Sequence, residues 1–346
     1  MKPIGGKAHD KKYRRTVWLL GLGLIAAMAA SVTLGRYPVA LGDLLKILGS
    51  RFGLPIEKTW AVQTEVALIN IRLPRVVLSV LVGACLAAAG ACYQGVFQNP
   101  MASPDILGAS AGAGFGAALM ILFGMSNVFI TLGAFGCSLL TVALVFAVSR
   151  HAKGERILGL VLSGIMISSL FQAGTSFLKL VADPNNQLPQ ITYWLMGSLS
   201  GAKWGEIRFV ILPMLSGLLP LLLLRWRLNV VTMGDDEALA MGVDAGKLRL
   251  IMVVCSTLVT ASAVSVSGTI GWVGLVIPHM MRRLVGSDYR YLMPASMLGG
   301  GIFLLLVDNI SRAATASGIP IGILTAFVGA PFFLWLITGR GERYAD

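Results

Sequence analysis

Long apolar runs alternate with short polar gaps along almost the whole chain. Several runs reach the roughly 20 residues that an α-helix needs to cross the hydrocarbon core of a bilayer. They are continuously apolar and rich in Gly and Ala, without the alternation of apolar and polar residues that a membrane β-barrel requires. The pattern therefore predicts an all-α polytopic membrane protein with about ten transmembrane helices, near residues 16–34, 66–97, 107–124, 127–149, 156–180, 206–226, 248–267, 271–285, 293–311 and 320–338.

Composition and charge agree with this class. Of the 346 residues, 56% are hydrophobic and 13% are charged, whereas soluble domains contain about 25% charged residues. The net charge of +12 does not indicate nucleic-acid binding, because the basic residues lie at the ends of apolar runs and not along one face. With an even number of spans, most of the 28 Lys and Arg lie on the side of the termini. The positive-inside rule then predicts that both termini are cytoplasmic.

The N-terminal region has basic residues followed by an apolar run, which is the order of a signal peptide. Because the apolar run is long for a signal peptide, we interpret it as an uncleaved first span. Residues 1–15 are then a cytoplasmic tail, either irregular or associated with the membrane surface, and residues 16–346 form a single transmembrane domain. The four cysteines all fall within predicted spans without metal-ligand spacing, so they indicate neither a disulfide framework nor a metal site.

One polar stretch, GDDEALAMGVDAGKLRL at residues 234–250, interrupts the apolar pattern. Its Gly246 and Lys247 suggest a phosphate-binding loop. That loop needs a Gly five residues before the Gly-Lys pair and a Ser or Thr after it, where this chain has Met241 and Leu248. The sequence therefore does not predict a nucleotide site in this chain.

The same stretch instead has the signals of two short cytoplasmic helices. Thr232 and Asp235 have the spacing of a capping box, Gly242 is suited to end the first helix in a left-handed conformation, and Asp244 is suited to cap the second. A helix of about two turns is unstable alone, so we expect it to lie against a partner protein or the membrane surface. The alternative is a solvated loop, since charged stretches usually face water.

Two predicted spans are unusual. In GASAGAGFGAAL, Gly108, Gly112 and Gly116 recur every four residues, so one helical face has almost no side chains and predicts close helix packing. The segment GTIGWVGLVIPHMMRR is short and interrupted by Gly and Pro. Membranes tolerate such backbone only where protein or a water-filled cavity covers it, so we expect this segment to line a passage.

Residues suited to catalysis are scarce. His9, His151 and His279 have no partner at the spacing of a metal site or a general base, so we predict neither an enzyme nor a metal centre. Asp308 is the clearest ionisable residue within a span, and Arg312, four residues on, lies on the same helical face and can pair with it. The alternatives are an ion-coupled secondary transporter using Asp105 and Asp308, and an intramembrane enzyme, which would need a nucleophile-base pair or metal ligands.

Four ordered blocks of the chain resemble one family. Residues 72–117, RLPRVVLSVLVGACLAAAGACYQGVFQNPMASPDILGASAGAGFGA, are similar to the signature of the FecCD-type permeases, membrane subunits of ABC importers for iron-siderophore complexes, haem and cobalamin. The stretch GDDEALAMGVDAGKLR resembles the cytoplasmic coupling segment of that family. Residues 268–312 and IPIGILTAFVGAPFFLWL at 319–336 resemble its last spans.

The resemblance implies a type II ABC importer permease with ten transmembrane helices per subunit in the bacterial cytoplasmic (inner) membrane. It also implies a homodimer around a central path, two cytoplasmic ATPase subunits and an extracytoplasmic substrate-binding protein, with lipid around the helices and no nucleic acid. ATP and Mg would be bound by the ATPase, so this chain itself would hold no cofactor. An iron-siderophore complex is the first expected substrate, and haem and cobalamin are the alternatives.

The family's functional positions match particular residues here. Within a coupling segment at 227–247, the residues implied to contact the ATPase are Asp236, Glu237, Ala238, Leu239, Gly242 and Val243. The resemblance also implies that Arg72, Arg75 and Arg312 pair with carboxylates of the binding protein, a contact for which the guanidinium group is well suited. Without it, Arg72 and Arg75 are explained as interfacial anchors and Arg312 as the partner of Asp308. Asn99 and Met101 match positions that narrow the cytoplasmic mouth of the path.

Overall fold

The computed structural model describes residues 7–33, 40–51, 53–151, 156–315 and 318–338, and the regular structure within these ranges is helical throughout. The helices, in chain order, are α1 (Lys7–Thr33), α2 (Leu41–Arg51), α3 (Val62–Val66), α4 (Leu73–Val96), α5 (Ala109–Leu122), α6 (Asn127–Ser149), α7 (Arg156–Val181), α8 (Gln187–Leu195), α9 (Trp204–Leu223), α10 (Arg225–Val231), α11 (Asp235–Ala240), α12 (Ala245–Ser267), α13 (Val273–Val285), α14 (Tyr289–Ala314) and α15 (Ile321–Thr338). A π-helical segment, Ala67–Arg72, joins α3 to α4, and a 3-10 turn, Pro104–Leu107, precedes α5.

Ten of these helices correspond to the ten predicted spans. Seven helical stretches are long and apolar enough to cross a membrane, and they contain α1, α3 with α4, α6, α7, α9, α12 and α14. Helices α5 and α15 are apolar but shorter, and α13 has 13 residues and ends in a basic turn. The predicted all-α polytopic class is therefore confirmed.

The first helix begins earlier than the pattern predicts. It starts at Lys7, so residues 7–15 are helical and continuous with the first span. No Gly or Pro interrupts the chain between Lys7 and Thr16, and the basic residues there are good helix formers. Tyr13 in this extension packs near Tyr291 at the start of α14, with 5.9 Å between their ring centroids.

Helices α2 and α8 are absent from the sequence prediction because they are too short to be spans. Helix α2 is amphipathic: Leu44 and Ile47 are buried, whereas Leu45 is exposed. Its apolar side packs in one cluster with Leu68 and Val76, at the end of the Val62–Val96 helix. It therefore covers one end of the bundle and does not cross it.

Helix α4 lies at the centre of the bundle. In the apolar stretch of the Val62–Val96 helix 83% of residues are buried, against 11% for α1 and 17% for α7. Close approach to α14 depends on glycine, because a Cβ on Gly83 would clash with the carbonyl oxygen of Gly300. Gly90 has the same relation to Gly274 of α13. The core is therefore built around α4, while α1 and α7 present most of their apolar surface outward.

Candidate functional site

The polar stretch forms a short helix outside the spans. Helix α11 begins after Gly234, whose φ of 129° is suited to glycine, and no side chain caps it. The predicted capping box between Thr232 and Asp235 is wrong, because the Thr232 hydroxyl donates a hydrogen bond to the Asn229 carbonyl, 2.7 Å away. The local competition of threonine for a backbone carbonyl within α10 explains this difference.

The end of α11 follows the prediction. Gly242 has a φ of +73°, its N–H donates to the Leu239 carbonyl at 2.9 Å, and the N–H of Val243 donates to the Ala238 carbonyl at 2.9 Å. This pair of bonds is a Schellman motif, which satisfies the last carbonyls of a helix. Asp244 then caps α12 by accepting from the Lys247 N–H at 2.9 Å, and this bond lowers the pKa of the Asp244 carboxyl.

Helix α11 exposes an apolar and acidic surface. Leu239 is 72% exposed, and Met233 and Met241 on either side are about half-exposed. Asp236 and Glu237 are also exposed, whereas Ala238 is fully buried against the bundle and Val243 is half-buried. Among the residues predicted to contact the ATPase, Ala238 therefore faces the bundle and packs α11 against it. The exposed ones form a surface suited to a protein partner.

Three hydrogen bonds, which the sequence did not suggest, fix residues 229–235 to the bundle. Arg249 of α12 donates a hydrogen bond to Asp235 at 2.8 Å. Asn229 of α10 donates to the Asp288 carboxylate at 2.8 Å, and its side-chain oxygen accepts from the Tyr289 N–H at 2.8 Å. Burial raises the pKa of Asp288, but hydrogen bonds from Arg290 and Asn229 outweigh it and hold that pKa below its ordinary value. The segment is thereby tied to the first turns of both α12 and α14.

The loop after α4 carries the predicted gate residues. Asn99 and Met101 are both exposed, and the Asn99 side-chain oxygen accepts a hydrogen bond from the Met101 N–H at 2.9 Å. The preceding Gln98 has a φ of 48°, and its side-chain amide donates to the Val231 carbonyl at 2.9 Å. Val231 is the last residue of α10. Residues 97–103, called the gate loop below, are thus directly joined to α10, and no local sequence pattern predicts this contact.

The predicted glycine face divides into two roles. A Cβ on Gly112 would clash with Thr141, and one on Gly116 would clash with the carbonyl of Gly133, so both glycines lie close against α6. Gly108 precedes the helix and is its N-cap residue, with a φ of 75°. Its role is to turn the backbone from the 3-10 turn into α5.

The interrupted segment between α12 and α13 lies beside an open groove. Gly268 and Trp272 have positive φ values of 67° and 71°. A groove of about 570 Å³ lies between this segment, α8 and α15. Its lining is mostly apolar, with residues Leu195, Met196, Thr269, Gly271, Trp272, Gly322, Ile323, Ala326 and Phe327.

Two of the three predicted docking arginines meet on one carboxylate at the opposite end of the bundle. Arg75 of α4 approaches Asp308 of α14 with 2.8 Å between Nη2 and Oδ1. Arg312 approaches the other oxygen of Asp308, at 3.3 Å from its Nε. The predicted pairing of Asp308 with Arg312 is confirmed, and Arg75 is a second partner from a distant part of the chain.

The third predicted docking arginine, Arg72, contacts backbone carbonyls and not the Asp308 carboxylate. Arg72 is buried, 6% exposed, and donates to the Val32 carbonyl at 2.7 Å and the Thr33 carbonyl at 3.2 Å. It therefore ties the end of α1 to the π-helical segment before α4. Its predicted contact with a binding protein stays a prediction, as do those of Arg75 and Arg312.

Within the described ranges, no group of three or more His, Cys, Asp and Glu residues is placed to hold a metal ion. The arrangement consists of an exposed helix at one end, an arginine cluster at the other and a groove between helices. The exposed helix and the arginine cluster are suited to contact with other proteins.

Comparisons with known proteins agree with this arrangement. The chain matches the FecCD transport family over residues 23–339. It is 40% identical over 320 residues to the molybdate import system permease protein MolB of Haemophilus influenzae, covering 91% of this chain and 93% of the relative. It is 38% identical over 334 residues to the cobalamin import system permease protein BtuC of Halobacterium salinarum, covering 95% and 90%. A solved inward-facing structure of a metal-chelate type ABC transporter aligns with a TM-score of 0.83 at 36% identity, covering 94% of this chain and 99% of that one.

The fold and these similarities together define the class as a multi-pass permease of ABC importers. The family is also clear, since the matched region covers most of the chain: the protein belongs to the FecCD transport family. The resemblance noted from the four sequence blocks is therefore confirmed.

Proposed function

We propose that this permease works as a homodimer with two cytoplasmic ATPase subunits and an extracytoplasmic binding protein, and that it imports an iron-siderophore complex. The chain itself holds no cofactor, because ATP and Mg belong to the ATPase. Both termini are cytoplasmic in this arrangement. The observation that carries the proposal is the hydrogen bond between the gate loop and α10, the helix that directly precedes the exposed helix α11.

The connection runs through α10. Helix α11 exposes Leu239 and its neighbours for contact with the ATPase, while Ala238 anchors it to the bundle. Helix α10, just before it, holds the gate loop through the bond from Gln98 to Val231. A displacement of α11 by the ATPase therefore moves the loop that bears Asn99 and Met101. This supports alternating access, in which the partner subunits supply the energy and the permease opens to one side at a time.

Docking of the binding protein is proposed at the arginine end. Arg75 and Arg312 together carry two positive charges against the single negative charge of Asp308, and both side chains are partly exposed. The excess positive charge suits carboxylates on a partner, and charged patches of this kind accelerate association.

The homodimer is proposed to form along the outward apolar faces. Only 17% of the apolar stretch of α7 is buried, and large apolar side chains are exposed along that helix, namely Leu158, Leu162, Ile165, Met166, Leu170, Phe177, Leu180 and Val181. We propose separately that the groove beside Trp272 and Phe327 faces the central path, because the interrupted segment that lines it is backbone that membrane proteins place beside a cavity.

The apolar groove favours a bulky chelate over a small ion, since it has few polar groups that could replace the hydration shell of an ion. The solved relative of the metal-chelate type supports this choice. Cobalamin, which the name of BtuC gives as its substrate, and haem are also bulky chelates and are therefore alternative substrates. Because the relative MolB is named as a molybdate permease, molybdate must be tested beside them. An ion-coupled transporter is disfavoured, because Asp308 is already paired with two arginines.

Uptake assays test the substrate. Cells that express the permease with its binding protein and ATPase are supplied separately with ferric siderophore, haem, cobalamin and molybdate, each labelled. We expect accumulation of the ferric siderophore above that of cells with the permease alone. Accumulation of molybdate only would contradict a chelate importer.

A further inference from the structure

The carboxylate of Asp308 lies fully buried between two guanidinium groups. Arg75 Nε lies 2.9 Å from Oδ1 and 3.1 Å from Oδ2 of Asp308, and Nη2 also approaches Oδ1. Arg312 Nε is 3.3 Å from Oδ2. Asp308 has no exposed surface, so it cannot itself reach a partner protein.

The two arginines use only one edge of each guanidinium group for these contacts. Arg312 places Nη2 against Ser31, with 2.8 Å to the hydroxyl oxygen, and against the Asn309 side-chain oxygen. Among the described residues, Nη1 of Arg75 and Nη1 of Arg312 make no hydrogen bond. Their side chains are 14% and 16% exposed, respectively. Arg312 Nε is buried near Asp308 without forming a hydrogen bond, so its contact with the carboxylate is an ion pair only. Each guanidinium group therefore contacts protein through Nε and Nη2 and has Nη1 as a remaining donor.

Helices α4 and α14 also meet closely away from these ion pairs, at Gly83 and Gly300, where neither position has room for a Cβ. A buried ion pair often contributes little net stability, because removing the charges from water offsets their attraction, although removing one partner is destabilising. Asp308 is therefore placed to do more than join the two helices.

We propose that Asp308 is a positioning residue for docking: it holds the guanidinium groups of Arg75 and Arg312 side by side, with one donor of each available to a carboxylate of the binding protein. This inference rests on the docking role in the proposed function. Without the shared carboxylate, two like charges at this distance repel one another and the side chains separate. A preformed pair avoids the cost of ordering two long side chains at the moment of docking.

The test measures binding of the ligand-loaded binding protein to the complete transporter in lipid nanodiscs. We expect Asp308→Asn to weaken binding by about tenfold or more, because the two arginine side chains must then be ordered at the moment of docking. Asp43→Asn, a carboxylate in α2, is the matched control and should leave binding unchanged. Thermal unfolding and basal ATP hydrolysis of each variant show whether it is folded.

A double-mutant comparison separates positioning from a structural role. In an Arg75→Ala and Arg312→Ala background, Asp308→Asn should cause no further loss of binding, because the residues through which it acts are absent. A further loss there, or wild-type binding by Asp308→Asn alone, would overturn the proposal. Wild-type binding by the Arg75→Ala and Arg312→Ala variant would instead overturn the docking role itself.

A second variant covers the case in which Asp308→Asn does not fold. Arg75→Lys keeps the positive charge, but a single ammonium group cannot replace the guanidinium fork that contacts both Asp308 oxygens and offers another donor outward. We expect it to fold and to dissociate faster from the binding protein. Unchanged dissociation by Arg75→Lys would count against the positioning role.

Discussion

At the residue scale, Leu239 and Gly242 show two different demands on the same short helix. Leu239 exposes 72% of its surface outside the spans, which has a cost in water unless a partner covers it. Gly242 has a φ of +73°, which allows the chain to turn back into α12. Leu239 is available for contact with a partner, and Gly242 allows the backbone to turn. Substitutions at the two positions should therefore impair transport for different reasons.

Replacing Leu239 with Arg should remove the proposed apolar contact with the ATPase while leaving the bundle intact. We expect uptake to fall by about tenfold or more, the scale of a contact residue whose loss costs over 1.4 kcal/mol. Binding-protein docking should stay at the wild-type level. The control is Leu45→Arg, at a leucine of α2 that is also largely exposed. Wild-type uptake by Leu239→Arg, or loss of binding-protein docking as the only defect, would contradict the coupling role of α11.

Replacing Gly242 with Val should strain the backbone, because a β-branched residue at positive φ costs on the order of 1–3 kcal/mol. Gly242→Asn should be tolerated, since Asn adopts the left-handed conformation more readily. Uptake normalised to the amount of folded transporter compares the two. Equal uptake by Val and Asn would show that the turn at Gly242 does not hold α11 in place.

At the level of secondary structure, the sequence predicts helices and helix ends that short stretches encode, but not contacts between residues far apart in the chain. The ten spans, the end of α11 at Gly242 and the cap at Asp244 follow from local patterns, and the structure contains them. The bond from Gln98 to Val231 joins residues 133 positions apart, and no local pattern encodes such a meeting. The same holds for the pairing of Arg75 with Asp308, 233 positions apart. Helix α2 was missed because span length was the criterion.

The bond from Gln98 gives a prediction about the link between α10 and the gate loop. Gln98→Glu keeps the shape but replaces a donor with a carboxylate, which repels the Val231 carbonyl. We expect more ATP hydrolysed per substrate imported, because the ATPase moves while the gate loop does not follow. The measurement is the ratio of ATP hydrolysis to uptake in vesicles. The control is Gln63→Glu in α3, where the side chain is exposed at the other end of the bundle. A wild-type ratio of ATP hydrolysis to uptake in Gln98→Glu would contradict a link between α10 and the gate loop.

At the scale of the whole molecule, the two ends of the bundle are joined by the same helices. Asp288 caps the start of α14 and bonds Asn229, while Asp308, in the last turns of the same helix, contacts Arg75 and Arg312. Arg75 lies in the first turn of α4, and α4 ends just before the gate loop. The two helices pack closely at Gly83 and Gly300. This packed pair is the physical connection between the proposed docking end and the proposed ATPase end.

We propose that the chain is a passage whose energy comes from separate subunits. Uptake of ferric siderophore is measured in sealed vesicles that contain the purified permease with or without its ATPase and loaded binding protein, with ion gradients dissipated. We expect accumulation only when both partners and ATP are present. Uphill uptake by the permease alone, driven by an ion gradient, or ATP hydrolysis by the permease alone, would contradict it.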